Sequence, residues 1–269
     1  MPRFFVEETI ELSAWRISLT GDDFHHIHDV LRMKAGDELL VCDGAGTELT
    51  CQINRFTDHC AELTLLSRKA NQTEPPYEAV LYQGLAKGDK MDSIIQKAIE
   101  LGVGRIIPMI CRRSVAVPDA GDMPKRIIRW NRIAAEAAKQ CGRGRIPAVG
   151  PACAYSEAVQ KAAASDIRLI PWEMEKQQSL REALEAWVDR KKQPAVGAEG
   201  DEKPENGSIA TKKPELAILI GPEGGFTEQE IDLALAAGLQ PVTLGRRILR
   251  TETAGPAVLA MILYQFNDF

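Results

Sequence analysis

Two glycine-rich stretches near the end of the chain hold the residues best placed for chemistry: GPEGGF at 221–226 and LGRRILRTETAG at 244–255. Glycines let backbone amides and carbonyls approach a ligand closely. The first stretch lacks the Gly-Lys-Ser/Thr ending of a phosphate loop, and neither has the GxGxxG spacing of a dinucleotide site. Glu223 would repel a phosphate, so the pattern points to a neutral or cationic ligand. Either loop alone also reads as a plain tight turn. The pair is the more informative signal.

These loops need elements to hold them. LAILIG at 216–221 is a continuous apolar run of the kind that forms a strand buried on both faces, and it breaks at Gly221-Pro222. Thr227 followed three residues later by Glu230 has capping-box spacing, which predicts a helix start, and Gly238 is placed to end that helix. VTLG at 242–245 then reads as a strand and 251–266 as a C-terminal helix. Upstream, AVLYQGLA at 79–86 predicts a strand, and the apolar stripe Met91, Ile94, Ile95, Ala98 and Leu101 predicts a helix capped by Asp89 or Asp92 and ended by Gly102. RIIPMI at 105–110 is the next strand. IRLIPWE at 167–173 is another, whose end at Pro171-Trp172-Glu173 is expected beside the two glycine loops. This βαβ rhythm predicts a parallel sheet with its ligand site at the carboxyl ends of the strands.

With 269 residues the chain has room for two domains. Residues 1–70 show short runs such as RFFV, WRISL and AELTLL between turn-forming stretches, which predicts a small β domain or barrel with one short helix at HHIHDVLR. All four histidines (25, 26, 28 and 59) lie there, without metal-ligand spacing or partners, and are read as structural or RNA-facing. The polar stretch RKANQTEPPYE at 68–78 marks the boundary to a second domain over 75–269. Within it, 191–215 reads as a mobile insertion with no aromatic residue. Six cysteines form no CxxC pair, no run of apolar residues is long enough to span a membrane, and MPRFFVEETIEL has no apolar signal core. A cytoplasmic protein is expected.

The net charge of −5 hides a basic region. Residues 105–145 hold ten Lys or Arg against three acids, whereas residues 1–70 hold seven bases and twelve acids. A helix is predicted from Pro124 to about Gln140, with Ile127, Trp130, Ala134, Ala137 and Cys141 as its apolar stripe. Arg129, Arg132, Glu136, Lys139 and Arg143 recur on another face, beside CRRS at 111–114 and the GRGR turn at 142–145. That face is either solvated or an RNA phosphate surface, and the clustering favours the latter.

The two glycine loops together resemble the cofactor site of the SPOUT methyltransferases, in particular the family that makes 3-methyluridine in 16S ribosomal RNA. The likeness extends to PRFFV at 2–6, HHIHDVLRMKAGDELLVCDGAG at 25–46, KGDKMDSIIQKAIELGVGRIIPM at 87–109, RSVAV at 113–117 and RWNRIAAEAAKQCGRGRIP at 129–147. It implies an α/β SPOUT domain with a parallel sheet and a C-terminal trefoil knot, preceded by a small β-barrel PUA-like RNA-binding domain and working as a homodimer. The implied donor is S-adenosylmethionine, the implied partner 16S ribosomal RNA or the small ribosomal subunit, and neither a metal nor a membrane is involved. The 191–215 stretch departs from the compact pattern of that family.

Under this resemblance, backbone groups of Ile220, Gly221, Gly225, Leu244, Gly245 and Leu249, with Thr253 and Ala254, are expected to hold the donor. Arg113, Arg143 and Arg250 are candidates for holding phosphate or the uracil oxygens, where negative charge grows as N3 loses its proton. Arg112, Arg129 and Arg132, with Arg3, Arg32 and Lys34 of the first domain, are candidate RNA contacts. No histidine follows residue 59, so the base is a carboxylate, a lysine or water, and nothing in the sequence supports a cysteine; Glu136 is one candidate, and it reads equally well as an ion-pair partner of Arg132 or Lys139. Ribose 2′-O-methylation of RNA is the alternative reaction. RNA binding without catalysis is a weaker alternative.

Overall fold

The computed structural model describes residues 1–6, 16–115, 117–119, 121–192 and 213–266. The stretch expected as an insertion, 191–215, lies outside the described residues from 193 to 212. The chain divides into two compact units: residues 1–74 with 132–147, and residues 75–131 with 148–269.

The first unit is built on a five-stranded sheet of β1 (Arg3–Phe5), β2 (Arg16–Thr20), β3 (Glu38–Cys42), β4 (Thr47–Phe56) and β5 (Cys60–Ala70), ordered β1-β3-β4-β5-β2. Only β1 and β3 run parallel. Among the described residues β1 and β2 are the two edges, so the barrel expected here is seen as a sheet. The short helix expected at HHIHDVLR begins earlier, as α1 (Gly21–His25) followed by a π-helical turn over His26–Val30. Alternating residues of the strands, among them Ile17, Leu19, Leu39, Val41, Leu49 and Ile53, bury one face together with Phe4 and Ile27.

The second unit is a parallel sheet. Its elements run β6 (Glu78–Gly84), α2 (Lys90–Glu100), β7 (Arg105–Ile110), α3 (Met123–Cys141), β8 (Ala148–Val149), β9 (Cys153–Ala154), α4 (Tyr155–Ala162), β10 (Ile167–Pro171), α5 (Leu180–Lys192), β11 (Glu215–Ile220), α6 (Glu228–Ala236), β12 (Gln240–Val242) and α7 (Thr251–Gln265). The strand order is β12-β10-β11-β6-β7-β8, with β9 also on β7, and every pairing is parallel. The continuous apolar runs of β6, β10 and β11 are buried as the sequence predicts, because helices cover both faces of such a sheet. Neighbouring β6 and β11 are far apart in sequence, and from β6 the chain proceeds to β7 on its other side. This is a switch in strand order, the feature beside which open α/β sheets take their ligands.

Local expectations meet the structure with instructive differences. Thr227 and Glu230 form the full capping box of α6, and Gly238 follows the helix with φ +79°. Neither Asp89 nor Asp92 caps α2: Asp89 sits at the N-cap without a side-chain bond, and Asp92 instead accepts hydrogen bonds from Trp130 Nε1 at 3.2 Å and from Arg129. β12 stops at Val242, short of the strand predicted to 245, and Thr243 Oγ1 turns the chain by taking the amide of Gly245 at 3.2 Å. α3 carries the predicted stripe, with Trp130, Ala134 and Ala137 buried. Residues up to Asn131 count with the second unit and those from Arg132 with the first. Among the described residues no helix is long and apolar enough to cross a membrane.

Candidate functional site

The carboxyl ends of β11 and β10 and the loop after β12 surround a cleft of about 360 Å³ in the second unit. The 221–226 loop supplies one wall and Ile248 to Ala254 the other, with Lys90, Pro171 and Glu173 completing the lining. A second cavity of about 110 Å³ adds Trp172 and the 243–247 segment, and it shares Pro171, Glu173, Ile248, Leu249 and Ala254 with the first. The strand end Pro171-Trp172-Glu173 therefore lies beside both glycine loops, as the sequence predicts.

The loops are held in place by buried polar groups. Gln83, fully buried at the end of β6, donates from Nε2 to Thr251 Oγ1 at 2.9 Å, and the Thr251 hydroxyl in turn donates to the carbonyl of Gly221 at 2.7 Å. One chain of hydrogen bonds thus ties β6, the first loop and the start of α7. Packing is tight here too. A methyl group on Gly84 would stand 2.5 Å from the backbone nitrogen of Pro222. Gly225 has φ +66°, and a methyl group there would stand 2.9 Å from Glu173 Oε1.

From the other side, Arg113 Nη1 donates to the carbonyls of Gly224 at 2.9 Å and Phe226 at 3.2 Å. Glu230, buried, accepts the amide of Arg112 at 2.8 Å as well as the amide of Thr227 at 2.8 Å, and Tyr155 Oη donates to its carbonyl at 2.6 Å. The cleft mouth is charged. Lys90 Nζ lies 3.1 Å from Glu223 Oε1 and 3.4 Å from Glu252 Oε2, and the amide of Lys87 also donates to Glu223 at 3.0 Å. Desolvation works to raise the pKa of Glu223, but the hydrogen bonds from Lys87 and Lys90 outweigh it and hold the carboxyl below its ordinary value. The same pairing, led by the Glu223 hydrogen bond, holds Lys90 above its own. Both groups stay charged at neutral pH.

Residues 73–263 match the RNA methyltransferase domain family, and residues 19–59 match the RNA methyltransferase PUA domain. The chain is 33% identical to the ribosomal RNA small subunit methyltransferase E of Bacillus subtilis, over 98% of this chain and 97% of that one. The chain belongs to the ribosomal RNA small subunit methyltransferase E family. A relative of the same name from Synechocystis is 31% identical over 95% of this chain and 74% of its own length. Among solved structures, a ribosomal RNA small subunit methyltransferase E from Neisseria gonorrhoeae bound to S-adenosyl methionine superimposes with a TM-score of 0.79 at 31% identity, covering 98% of this chain and 97% of that one. A putative methyltransferase from Legionella pneumophila, in complex with bound cofactor SAM, gives 0.77 at 29% identity over 97% of this chain and 96% of that one. The mixed α/β class, with its parallel sheet and a PUA domain before it, is thereby shown for this member of the methyltransferase E family.

The residues singled out from the sequence fall into three groups in this family member. Ile220, Gly221, Gly225, Leu249, Arg250 and Ala254 line the larger cleft, and Leu244 and Gly245 line the smaller one. Thr253 lies in the first turn of α7, exposed and outside both linings. Arg113 belongs to the same unit and clamps the first loop.

Arg143 and Glu136 count with the other unit. Arg143 is buried and doubly bonded to Glu74, which makes it a structural tie, and Glu136 is exposed with its nearest cation, Lys139, 3.9 Å away. Arg3 is likewise engaged, to Glu48 at 2.6 Å and Cys42 Sγ at 3.0 Å. Of the remaining basic candidates, Arg129 pairs with Asp92 and Arg112 with Gln229, while Arg32, Lys34 and Arg132 are exposed. Among the described residues no cluster could hold a metal ion. Sequence reasoning missed Gln83, Thr251, Lys90 and Glu252. The first two sit in ordinary strand and helix-start positions, and only Lys90, a cation opening a helix, stood against a local rule.

Proposed function

We propose that this chain transfers the methyl group of S-adenosylmethionine to N3 of a uridine in 16S ribosomal RNA of the small subunit, giving 3-methyluridine. The observation that carries the reading is the cleft at the carboxyl ends of β10, β11 and β12, in a chain whose residues 73–263 match the RNA methyltransferase domain. Its chemistry suits that donor. Ile220, Phe226, Ile248 and Leu249 offer apolar walls for an adenine, and the glycines expose backbone groups to its polar edges. Three carboxylates, Glu173, Glu223 and Glu252, outnumber the cations Lys90 and Arg250 in the lining, which favours a ligand of net positive charge. The bound donor supplies an electrophilic methyl group on a sulfonium.

The chain's own residues then do the positioning. Arg113 and the Gln83–Thr251–Gly221 hydrogen bonds fix the loop that the donor leans on, so the geometry is set before binding. Arg250, exposed at the cleft, is placed to stabilise the oxygens of a uracil losing its N3 proton. Arg112 and Arg129 of the second unit, and Arg32, Lys34 and Arg132 of the first, are the cations we assign to RNA phosphates. We assign Thr253 no donor contact. We further propose a cytoplasmic homodimer whose C-terminal segment carries the trefoil threading of the SPOUT class. Met261 and Tyr264, one turn apart on α7 and 43% and 72% exposed, support an apolar contact between copies.

The test is transfer of labelled methyl from S-adenosylmethionine to free 16S ribosomal RNA and to small subunits, with nucleoside analysis of the product. The reading requires label in 3-methyluridine. Label in a 2′-O-methyl nucleoside would replace it with the ribose reaction. Light scattering tests the homodimer, and a monomer at micromolar concentration would remove it.

A further inference from the structure

The reaction proposed for the cleft needs an acceptor for the N3 proton of the uridine, and few lining groups can serve. The titratable ones are Lys90, Glu173, Glu223, Arg250 and Glu252. A guanidinium keeps its proton in a protein. Lys90 is held above its ordinary pKa, led by the hydrogen bond to Glu223, so it already carries its proton at neutral pH. Desolvation works to raise Glu223, but the hydrogen bonds from Lys87 and Lys90 outweigh it and leave a carboxylate of lowered basicity. Glu173 is exposed, and water competes for its oxygens. Glu252 stands apart. Its Oε2 is enclosed and accepts no hydrogen bond, although Lys90 Nζ lies 3.4 Å away, while the side chain, 23% exposed, lines the cleft. An acid in the first turn of α7 suits the helix dipole, which explains the charge of Glu252 but not its unused oxygen. An enclosed acceptor left without a partner is rare in a folded protein, and a catalytic role is one of its recognised causes.

We propose that Glu252 is the general base of uridine N3 methylation, with Lys90 holding its carboxylate and Glu223 holding Lys90. The proposal rests on the reading of the cleft as the site of that reaction and names the proton acceptor which that reading leaves open. As the N3–H bond breaks, its proton forms an O–H bond on Glu252 and its electron pair stays on N3. N3 then forms a bond to the methyl carbon while the carbon–sulfur bond breaks, leaving that bond's electrons on sulfur. The negative carboxylate and the positive sulfonium are both neutralised, so no further reactant is required. Arg250, two residues before Glu252 and in the same lining, meets the uracil oxygen on which charge gathers as the proton leaves. A cytosine presents a lone pair at N3 instead of a proton, which a carboxylate repels, so the same residue favours uracil.

The experiment is single-turnover transfer by wild type, Glu252→Gln and Glu252→Asp at saturating S-adenosylmethionine, with calorimetry of the donor on each protein. The substrates are small subunits reconstituted from 16S transcripts made with uridine or with 5-fluorouridine, whose N3 proton is more acidic and depends less on a base. With uridine, Glu252→Gln should be slower than wild type by about 10²-fold or more, and Glu252→Asp, which keeps a carboxylate, should recover about tenfold of that loss. With 5-fluorouridine the deficit of Glu252→Gln should narrow by about tenfold. A Glu252→Gln rate within about twofold of wild type would overturn the proposal. So would equal deficits on both substrates, or a Glu252→Gln protein that no longer bound the donor, since either makes the residue part of the scaffold. Wild-type protein that formed no 3-methyluridine would overturn the reading of the reaction itself, and the base with it.

Discussion

Two polar clusters in this chain use similar residues and end in opposite states. In the first unit, Glu74 is met by Arg143 through Nη2 at 2.6 Å and Nε at 3.2 Å, by Arg145 Nε at 3.1 Å and by the amide of Gly144 at 3.1 Å. Its carboxylate is saturated, and the Arg143 and Glu74 side chains are only 4% and 9% exposed. In the second unit, Lys90, Glu223 and Glu252 share a cleft wall with one acceptor left over. A saturated buried cluster holds chain segments together, because breaking it strands a charge. An unsaturated one at a cleft leaves an acceptor open to whatever enters. Residual hydrogen-bonding capacity, rather than the number of charges, separates scaffold from site.

The largest expected effect falls on the saturated cluster. Glu74→Gln leaves Arg143 buried without its countercharge and should cost about 3–5 kcal/mol of stability in urea unfolding, with donor affinity of the folded protein unchanged; a loss under about 1 kcal/mol would dissolve the contrast. The same cluster sets an acid limit. Desolvation would raise the pKa of Glu74, but the hydrogen bonds and charges of Arg143 and Arg145 win and hold it below its ordinary value; Glu48 is also lowered, through Arg3, Asn71 and Lys69. Both contributions are complete above the unfolded carboxyl value of about 4.3 and vanish as pH falls through the lower folded values. Urea midpoints should therefore hold from neutrality to about pH 5 and fall below about pH 4.

Smaller effects sharpen the other side. Gly84→Ala drives a methyl group into the backbone at Pro222 and should cost about 1–3 kcal/mol while weakening the donor more than its stability loss explains. Thr251→Val removes the hydroxyl that links Gln83 to the Gly221 carbonyl, for about 1–3 kcal/mol and a further loss of donor affinity read by calorimetry. Glu136→Gln should do least. Its carboxylate is exposed and 3.9 Å from Lys139, so turnover at saturating donor and RNA should stay within about twofold of wild type. A collapse of turnover would restore Glu136 as the base.

Much of the second unit was legible in the sequence because its signals are local. The buried strands announce themselves as apolar runs, α6 by its Thr227 to Glu230 capping box, and the cleft by two glycine loops that follow strands. What stayed hidden depends on partners distant in the chain. Nothing near Asp92 shows that Trp130 and Arg129 will take it from its capping position, and nothing near Arg143 shows that Glu74 will bury it. Thr251 reads as a helix start until Gln83, 168 residues away, is brought to it. The loop after β12 also came early, since Thr243 satisfies the turn with its own side chain, which a strand pattern does not register.

The most direct measurement is a crystal structure of this chain grown with S-adenosylmethionine. The account predicts the donor between the 221–226 and 244–249 segments. A donor bound anywhere else would contradict it.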